Sequence, residues 1–284
     1  MLAIGAPSAF EFAHRPPSLR TAGLISGMSG YRETAPGRFT QRMAAPLRVP
    51  LIISLGSPFL IAFGREPDAA DRRGSFAAGL HAGPVHILSD GGAESIRVDF
   101  TLLGAYRLFG GAVVDLTARM VDISNILGSE GRQLHQRLGE MPCWQRRFDL
   151  LEDFVVKRAN GRPSREIAYA YHRLAVSSGG ARITALAQEI GWSRKHLVER
   201  FRAELGLAPK PIARMIRFHH ACRLAQTGAT RDWAGTAAES GYSDQSHLSR
   251  EFAALAGESP TAWARRMALS DSRLTRPDDA LAGW

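Results

Sequence analysis

Two stretches near the C-terminal end hold the side chains whose chemistry is easiest to name. One contains Arg194, Lys195, His196, Glu199 and Arg200, and the other Asp244, Gln245, Ser246, His247, Ser249 and Arg250. Guanidinium and ammonium groups donate to guanine O6 and N7, and a Gln carboxamide pairs with adenine N6 and N7. Ser and His reach several base edges or phosphates. Both sets therefore suit a nucleic-acid surface. Catalysis fits neither. No Ser/His/Asp arrangement, Gly-rich phosphate loop or paired-carboxylate pattern stands out, so the chain is read as not an enzyme. His81 and His86, five residues apart, would point to opposite faces of a regular strand. No Glu nearby completes a ligand set with them, so neither a metal nor another cofactor is expected.

The elements that must hold these side chains are written in the sequence as a repeat. Residues 183–193 read ITALAQEIGWS and residues 233–243 read WAGTAAESGYS. The first is followed by Leu197, Phe201, Gly206 and Pro209, the second by Leu248, Phe252, Gly257 and Pro260. Two helices joined at a sharp angle touch near their turn, which calls for the small residues Ala187 and Ala237. A turn that opens in left-handed backbone favours Gly191 and Gly241. Ser193 and Ser243 suit the N-cap of the second helix in each unit. Leu197 with Phe201, and Leu248 with Phe252, lie four apart on one face and are expected to pack inward. Gly and Pro then end each helix. The outer face of each second helix is left for the polar side chains named above, with Ser193 and Ser243 at its start.

Between the units, residues 209–226 read as one helix with Ile212, Met215, Ile216, Cys222 and Leu224 inward. Eighteen residues span roughly 27 Å at about 1.5 Å each, and successive major-groove faces of one duplex lie about 34 Å apart. A single spacer helix can thus set two recognition helices into adjacent grooves. His219 and His220 on this helix are read as surface or packing residues.

The segments GYSDQSHLSREF (241–252) and GESPTAWARR (257–266) resemble the signature of AraC/XylS-type transcription regulators. The likeness covers about 100 residues and is more specific in the second unit than in the first. It implies base contacts by Arg194, Lys195, Val198 and Glu199, and by Gln245, Ser246, His247 and Arg250. Glu199 can accept from cytosine N4 or hold Arg200 or Arg202, and Arg250 suits a phosphate or a base edge. Double-stranded operator DNA and RNA polymerase are the implied partners, with a small-molecule effector and a homodimer as further candidates.

The remaining sequence sets the frame. A net charge of +9 over 284 residues favours an anionic partner, although of the 36 basic residues only Lys157, Lys195 and Lys210 are lysine, a bias that suits base composition. Two lone cysteines, Cys143 and Cys222, make no disulfide framework. No apolar run approaches the roughly 18 residues of a membrane span and no leader is visible, so a cytoplasmic, nucleoid-associated protein is expected. Residues 1–30, rich in Gly, Ser, Pro and Ala, read as a disordered arm, with Met28 as an alternative start. From 48 to 109, short β-favouring runs (49–55, 59–63, 85–88, 96–103) alternate with Gly and Pro turns. Helical spacing follows over 115–139 and 148–156. The polar segment 157–164 is the linker candidate. AraC-type regulators often carry a cupin-like sensing domain at this place, and the run 79–110 with the helices after it is similar to one such subgroup, departing from it at 102–105 (LLGA), which lacks the Pro that subgroup often shows before its Gly-Ala. The expected fold is α+β, with a β-rich cupin-like N-terminal domain and trailing helices (31–160), an all-α double helix-turn-helix domain (161–269) and a flexible tail (270–284).

Overall fold

The structure, a computed structural model, describes residues 9–269. The tail 270–284 and the first eight residues of the expected arm lie outside the described residues.

The N-terminal strands are β1 (Phe10–Arg15), β2 (Ile25–Glu33), β3 (Phe39–Met43), β4 (Val49–Ser54), β5 (Phe59–Phe63), β6 (Arg72–Arg73), β7 (Phe76–Ala78), β8 (Val85–Ser89), β9 (Glu94–Phe100) and β10 (Met120–Asp122). They form two antiparallel sheets, ordered β1-β2-β9-β4-β7-β10 and β3-β8-β5-β6. The blocks β2-β9-β4-β7 and β3-β8-β5-β6 are the two four-stranded halves of a jelly roll, the architecture of cupins. This topology makes the domain cupin-like.

Its strands β4 and β7 are buried on both faces, and their side chains alternate between two cores. On β4, Val49, Leu51 and Ile53 face a large core outside the sandwich, while Ile52 faces a smaller core between the sheets. On β7, Ala77 belongs to the first core and Phe76 and Ala78 to the second.

The reading of residues up to 30 as a disordered arm is corrected from Phe10 onward. β1 pairs with β2, and β2 pairs with β9. The loop-like composition of β2 (ISGMSGYRE) has a packing cause. A Cβ on Gly30 would stand 2.4 Å from the Trp144 ring, and one on Gly27 would stand 3.1 Å from His14. Glycine in a strand marks such close approaches as often as it marks a loop. Met28 sits mid-strand opposite Val98 and is 1% exposed.

After β9 come α1 (Leu102–Phe109), a 3-10 turn (Gly110–Val114), α2 (Ile123–Glu140) and α3 (Trp144–Arg158). The helix expected from residue 115 starts eight residues later. Residues 120–122 instead pair with β7 as a sheet edge, and Ala118 takes φ 51°, which no helix accommodates. The helix then starts from Asp122, whose side chain accepts from Ser124 N at 2.7 Å.

The polar segment 157–164 does separate helices. Ser164 caps α4 (Arg165–Val176), which is followed by α5 (Ile183–Glu189), α6 (Arg194–Leu205), α7 (Pro209–Thr227), α8 (Trp233–Glu239), α9 (Gln245–Ala256) and α10 (Pro260–Leu269). The segment is docked, however: Gly161 N donates to Arg107 O at 2.9 Å. One continuous apolar core runs from Phe100 through Ala105 and Leu151 to Phe201 and Met215. Among the described residues no helix is long and apolar enough to cross a membrane.

Candidate nucleic-acid interface

Each helix-turn-helix unit is built as its residue types demand. Ala187 and Ala237, at 2% and 1% exposure, sit where the paired helices touch. Gly191 and Gly241 open the turns at φ 72° and 73°, backbone that a side chain would strain. The inward residues Leu197, Phe201, Leu248 and Phe252 are fully buried. Gly206 and Gly257 close α6 and α9 in left-handed backbone, at φ 81° and 71°. The spacer α7 runs one residue further than expected, to Thr227, a length of about 28 Å at the helical rise. Ile212, Met215 and Ile216 face the core.

The N-caps differ between the units. Ser193 accepts from His196 N at 3.2 Å, as expected. In the second unit the cap is Asp244, which accepts from His247 N at 2.7 Å. Ser243 lies one residue outside and donates to the Asp244 carboxylate at 3.1 Å. The second turn therefore holds one more residue than the first, so Arg194 matches Gln245, His196 matches His247 and Glu199 matches Arg250. The His247 amide, and after it the Ser243 hydroxyl, holds the Asp244 carboxyl below the usual range, which keeps the cap ionised and accepting. Replacing Ser193 by Ala is expected to cost about 1 kcal/mol, and replacing Asp244 by Ala to destabilise in the same direction, each read as a lowered thermal midpoint. An unchanged midpoint would show that the caps do not hold these helices.

The outward faces are open. Arg194, Lys195, His196, Glu199, Ser243, Gln245, Ser246 and Arg250 are exposed, whereas Arg200, His247, Val198 and Ser249 are partly covered. His196 sits edge-on to Trp192 (4.5 Å between centroids), as His247 does to Tyr242 (5.1 Å). An aromatic ring thus meets a histidine at the mouth of each turn, Trp192 in the first unit and Tyr242 in the second. Lys195 and Glu199 are 3.9 Å apart, so Glu199 faces neither Arg200 nor Arg202. Arg200 turns back to Glu204 at 2.6 Å. Glu204 is 1% exposed and also accepts from the Ser164 amide (2.7 Å) and hydroxyl (2.9 Å), tying α6 to the linker. The sequence marked none of this, because a Glu in the last turn of a helix looks like any surface residue.

The β-rich domain touches the opposite ends of these helices. Thr117 Oγ1 donates to Gly206 O at 2.9 Å. Arg42 donates to Gly257 O at 3.2 Å, and Ala45 N donates to Leu255 O at 2.7 Å. His219 Nε2 lies 2.8 Å from the Ala45 carbonyl oxygen, which makes His219 a packing residue at the interface. Both recognition helices are thus gripped at their C-terminal glycines and free at their N-terminal residues. His81 lies in the loop before β8, stacked on Phe63, and His86 Nδ1 is 3.0 Å from Glu66. Among the described residues no group of three His, Cys, Asp or Glu is placed to hold a metal ion.

Residues 186–266, which cover both turns and the spacer, match a family model described as a helix-turn-helix domain. No curated protein sequence matches the chain. Among solved structures, ToxT from Vibrio cholerae O395 is similar at 11% identity and a TM-score of 0.47, covering 92% of this chain and 99% of that one. Another structure of ToxT from Vibrio cholerae scores 0.46 at 11% identity, with 90% and 98% covered. The AraC-like transcriptional activator CuxR scores 0.25 at 16% identity, with 77% and 87% covered. With its paired units matched in sequence and formed in space, the segment 186–266 is a helix-turn-helix domain of two units.

Proposed function

We propose that the chain binds an operator sequence through α6 and α9 in successive major grooves, and that the β-rich domain sets the outcome. The observation carrying this reading is the grip on the two helices. The cupin-like domain holds their C-terminal glycines, while helix-turn-helix proteins read bases with the N-terminal residues of the recognition helix. Arg194, Lys195, His196 and Glu199 on α6, and Gln245, Ser246, His247 and Arg250 on α9, would face the duplex, with Ser193 and Ser243 beside phosphates. Arg200 comes within reach only if it leaves Glu204. The division between sensing and DNA-binding parts would fall in the linker 157–164, at about residue 160. Such a regulator would act on chromosomal DNA in the cytoplasm, recruit or obstruct RNA polymerase, and could pair with a second copy on symmetric sites.

Replacing Arg194 or Gln245 by Ala is expected to cost about 1–3 kcal/mol on the cognate duplex and to relax preference at one base position. Fluorescence anisotropy against a set of single-base variants reads both effects. Equal loss on every duplex would make these side chains phosphate contacts.

A further inference from the structure

A cavity of about 350 Å³ opens in the seam of the jelly roll, lined among others by Phe63, Arg65, Asp71, Arg73, Arg119 and Met120. It lies where the sandwich ends, because β6 and β10 are the last strands of their respective sheets. The volume is that of a small-molecule site. Its charge is unbalanced, with three guanidinium groups facing one carboxylate.

That carboxylate is already engaged. Asp71 is taken bidentately by Arg65, at 2.6 and 2.9 Å, and the pairing with Arg65 first, then the Asp68 amide, holds its carboxyl below the usual range. Asp68, an exposed neighbour, reaches Arg65 at 3.4 Å and accepts from Ala70 N at 2.8 Å. Arg73 stands 3.8 Å from Asp71, and its buried Nε has no hydrogen-bond partner. Arg119 is exposed and has no ion pair among the described residues. The opposite wall, Phe63 and Met120, packs on the apolar core between the sheets. Guanidinium donors at the rim of an open cleft, one with a buried unpartnered Nε, beside an apolar wall suit a carboxylate or phosphate carried on an apolar body.

The position of Arg119 gives such a site an outlet. Ala118 next to it holds φ 51°, a left-handed conformation unusual for a residue with a Cβ. Ala118 N donates to Leu80 O at 3.0 Å, and Gly79 N donates to Arg119 O at 3.1 Å. Thr117, one residue further back, holds the C-cap carbonyl of α6. A ligand that draws Arg119 inward therefore pulls on the segment that positions the first recognition helix.

We infer that this seam binds a metabolite-sized organic anion through Arg73 and Arg119, and that Thr117 passes its arrival to α6. The inference deepens the reading that the β-rich domain governs DNA binding, and it is tested apart from it. Benzoate and phenyl phosphate serve as probes of the two anion classes, with benzyl alcohol as the neutral control, titrated calorimetrically into the full-length protein. At least one anion is expected to bind, the alcohol far more weakly, and Arg119→Glu to weaken the anion about tenfold or more. The stronger of the two anions identifies the headgroup. Arg73→Gln should weaken it in the same direction, which guards against a defect peculiar to the charge reversal. Thr117→Val should keep the anion affinity and remove the anion's effect on DNA affinity. Absent binding by both anions, equal binding of the alcohol, or equal binding by wild type and both arginine variants would overturn the site. An anion that binds but leaves DNA affinity unchanged would overturn the outlet. Anion binding by a protein that selects no DNA sequence would instead count against the DNA-binding reading and leave the site standing.

Discussion

Phe252→Ala is expected to cost about 3–5 kcal/mol, the range for emptying a buried aromatic site. Phe252 is fully buried. Its ring meets Phe218 of α7 at 4.9 Å, Trp233 of α8 at 5.5 Å and Trp263 of α10 at 5.5 Å, each near edge-on. Edge-to-face pairs contribute about 0.5–1.5 kcal/mol each beyond area burial, so this one side chain ties the second unit to the spacer and to the last helix. Its counterpart Phe201 is equally buried but makes no comparable ring contact among the described residues. Phe201→Ala should therefore cost less. Chemical denaturation measures both, and Trp233 and Trp263 report the loss by fluorescence. A smaller penalty at Phe252 than at Phe201 would contradict the aromatic cluster as the organiser of this unit.

Gly104→Ala is expected to destabilise by about 3 kcal/mol, against the usual sign for Gly to Ala in a helix. A Cβ at this position in α1 would stand 1.8 Å from the Leu24 carbonyl oxygen and 2.6 Å from its carbon. Both atoms are backbone and cannot rotate away. The same joint is fastened by Thr101, whose amide donates to Leu24 O at 3.0 Å and whose hydroxyl donates to Gly23 O at 2.8 Å. Gly139, in the last turn of α2, has open space where its Cβ would go. Gly139→Ala should therefore be neutral or gain up to about 1 kcal/mol. Thermal midpoints of the two variants should move in opposite directions. A shared direction would mean that α1 and β2 are not held this closely.

The C-terminal units were legible because they rest on local rules. A small residue at a helix contact, a glycine in left-handed backbone and an apolar pair four residues apart each constrain neighbours in sequence, and Ala187, Gly191, Leu197 and Phe201 obey them. The extra residue in the second turn escaped because Ser243 and Asp244 are both good caps, and only the backbone path selects between them. The N-terminal half was legible where strands are long and apolar, as in β4, β5 and β8. It was misread where the partner lies far along the chain. Gly30 of β2 is required because Trp144, more than a hundred residues later, covers it, and β10 carries helical spacing but is drawn to a sheet edge by β7. The contacts of Arg42, Ala45 and Thr117 with the recognition helices leave no trace in local pattern.

Selection of bound sequences from a pool of random duplexes by the full-length protein tests the two-groove reading most directly. The enriched sequences should contain two blocks of preferred bases with centres one helical turn apart, about 10–10.5 base pairs. Substituting Arg194 should blur one block and substituting Gln245 the other. A pool without enrichment, or a single block blurred by both substitutions, would contradict two recognition helices reading one face of the duplex.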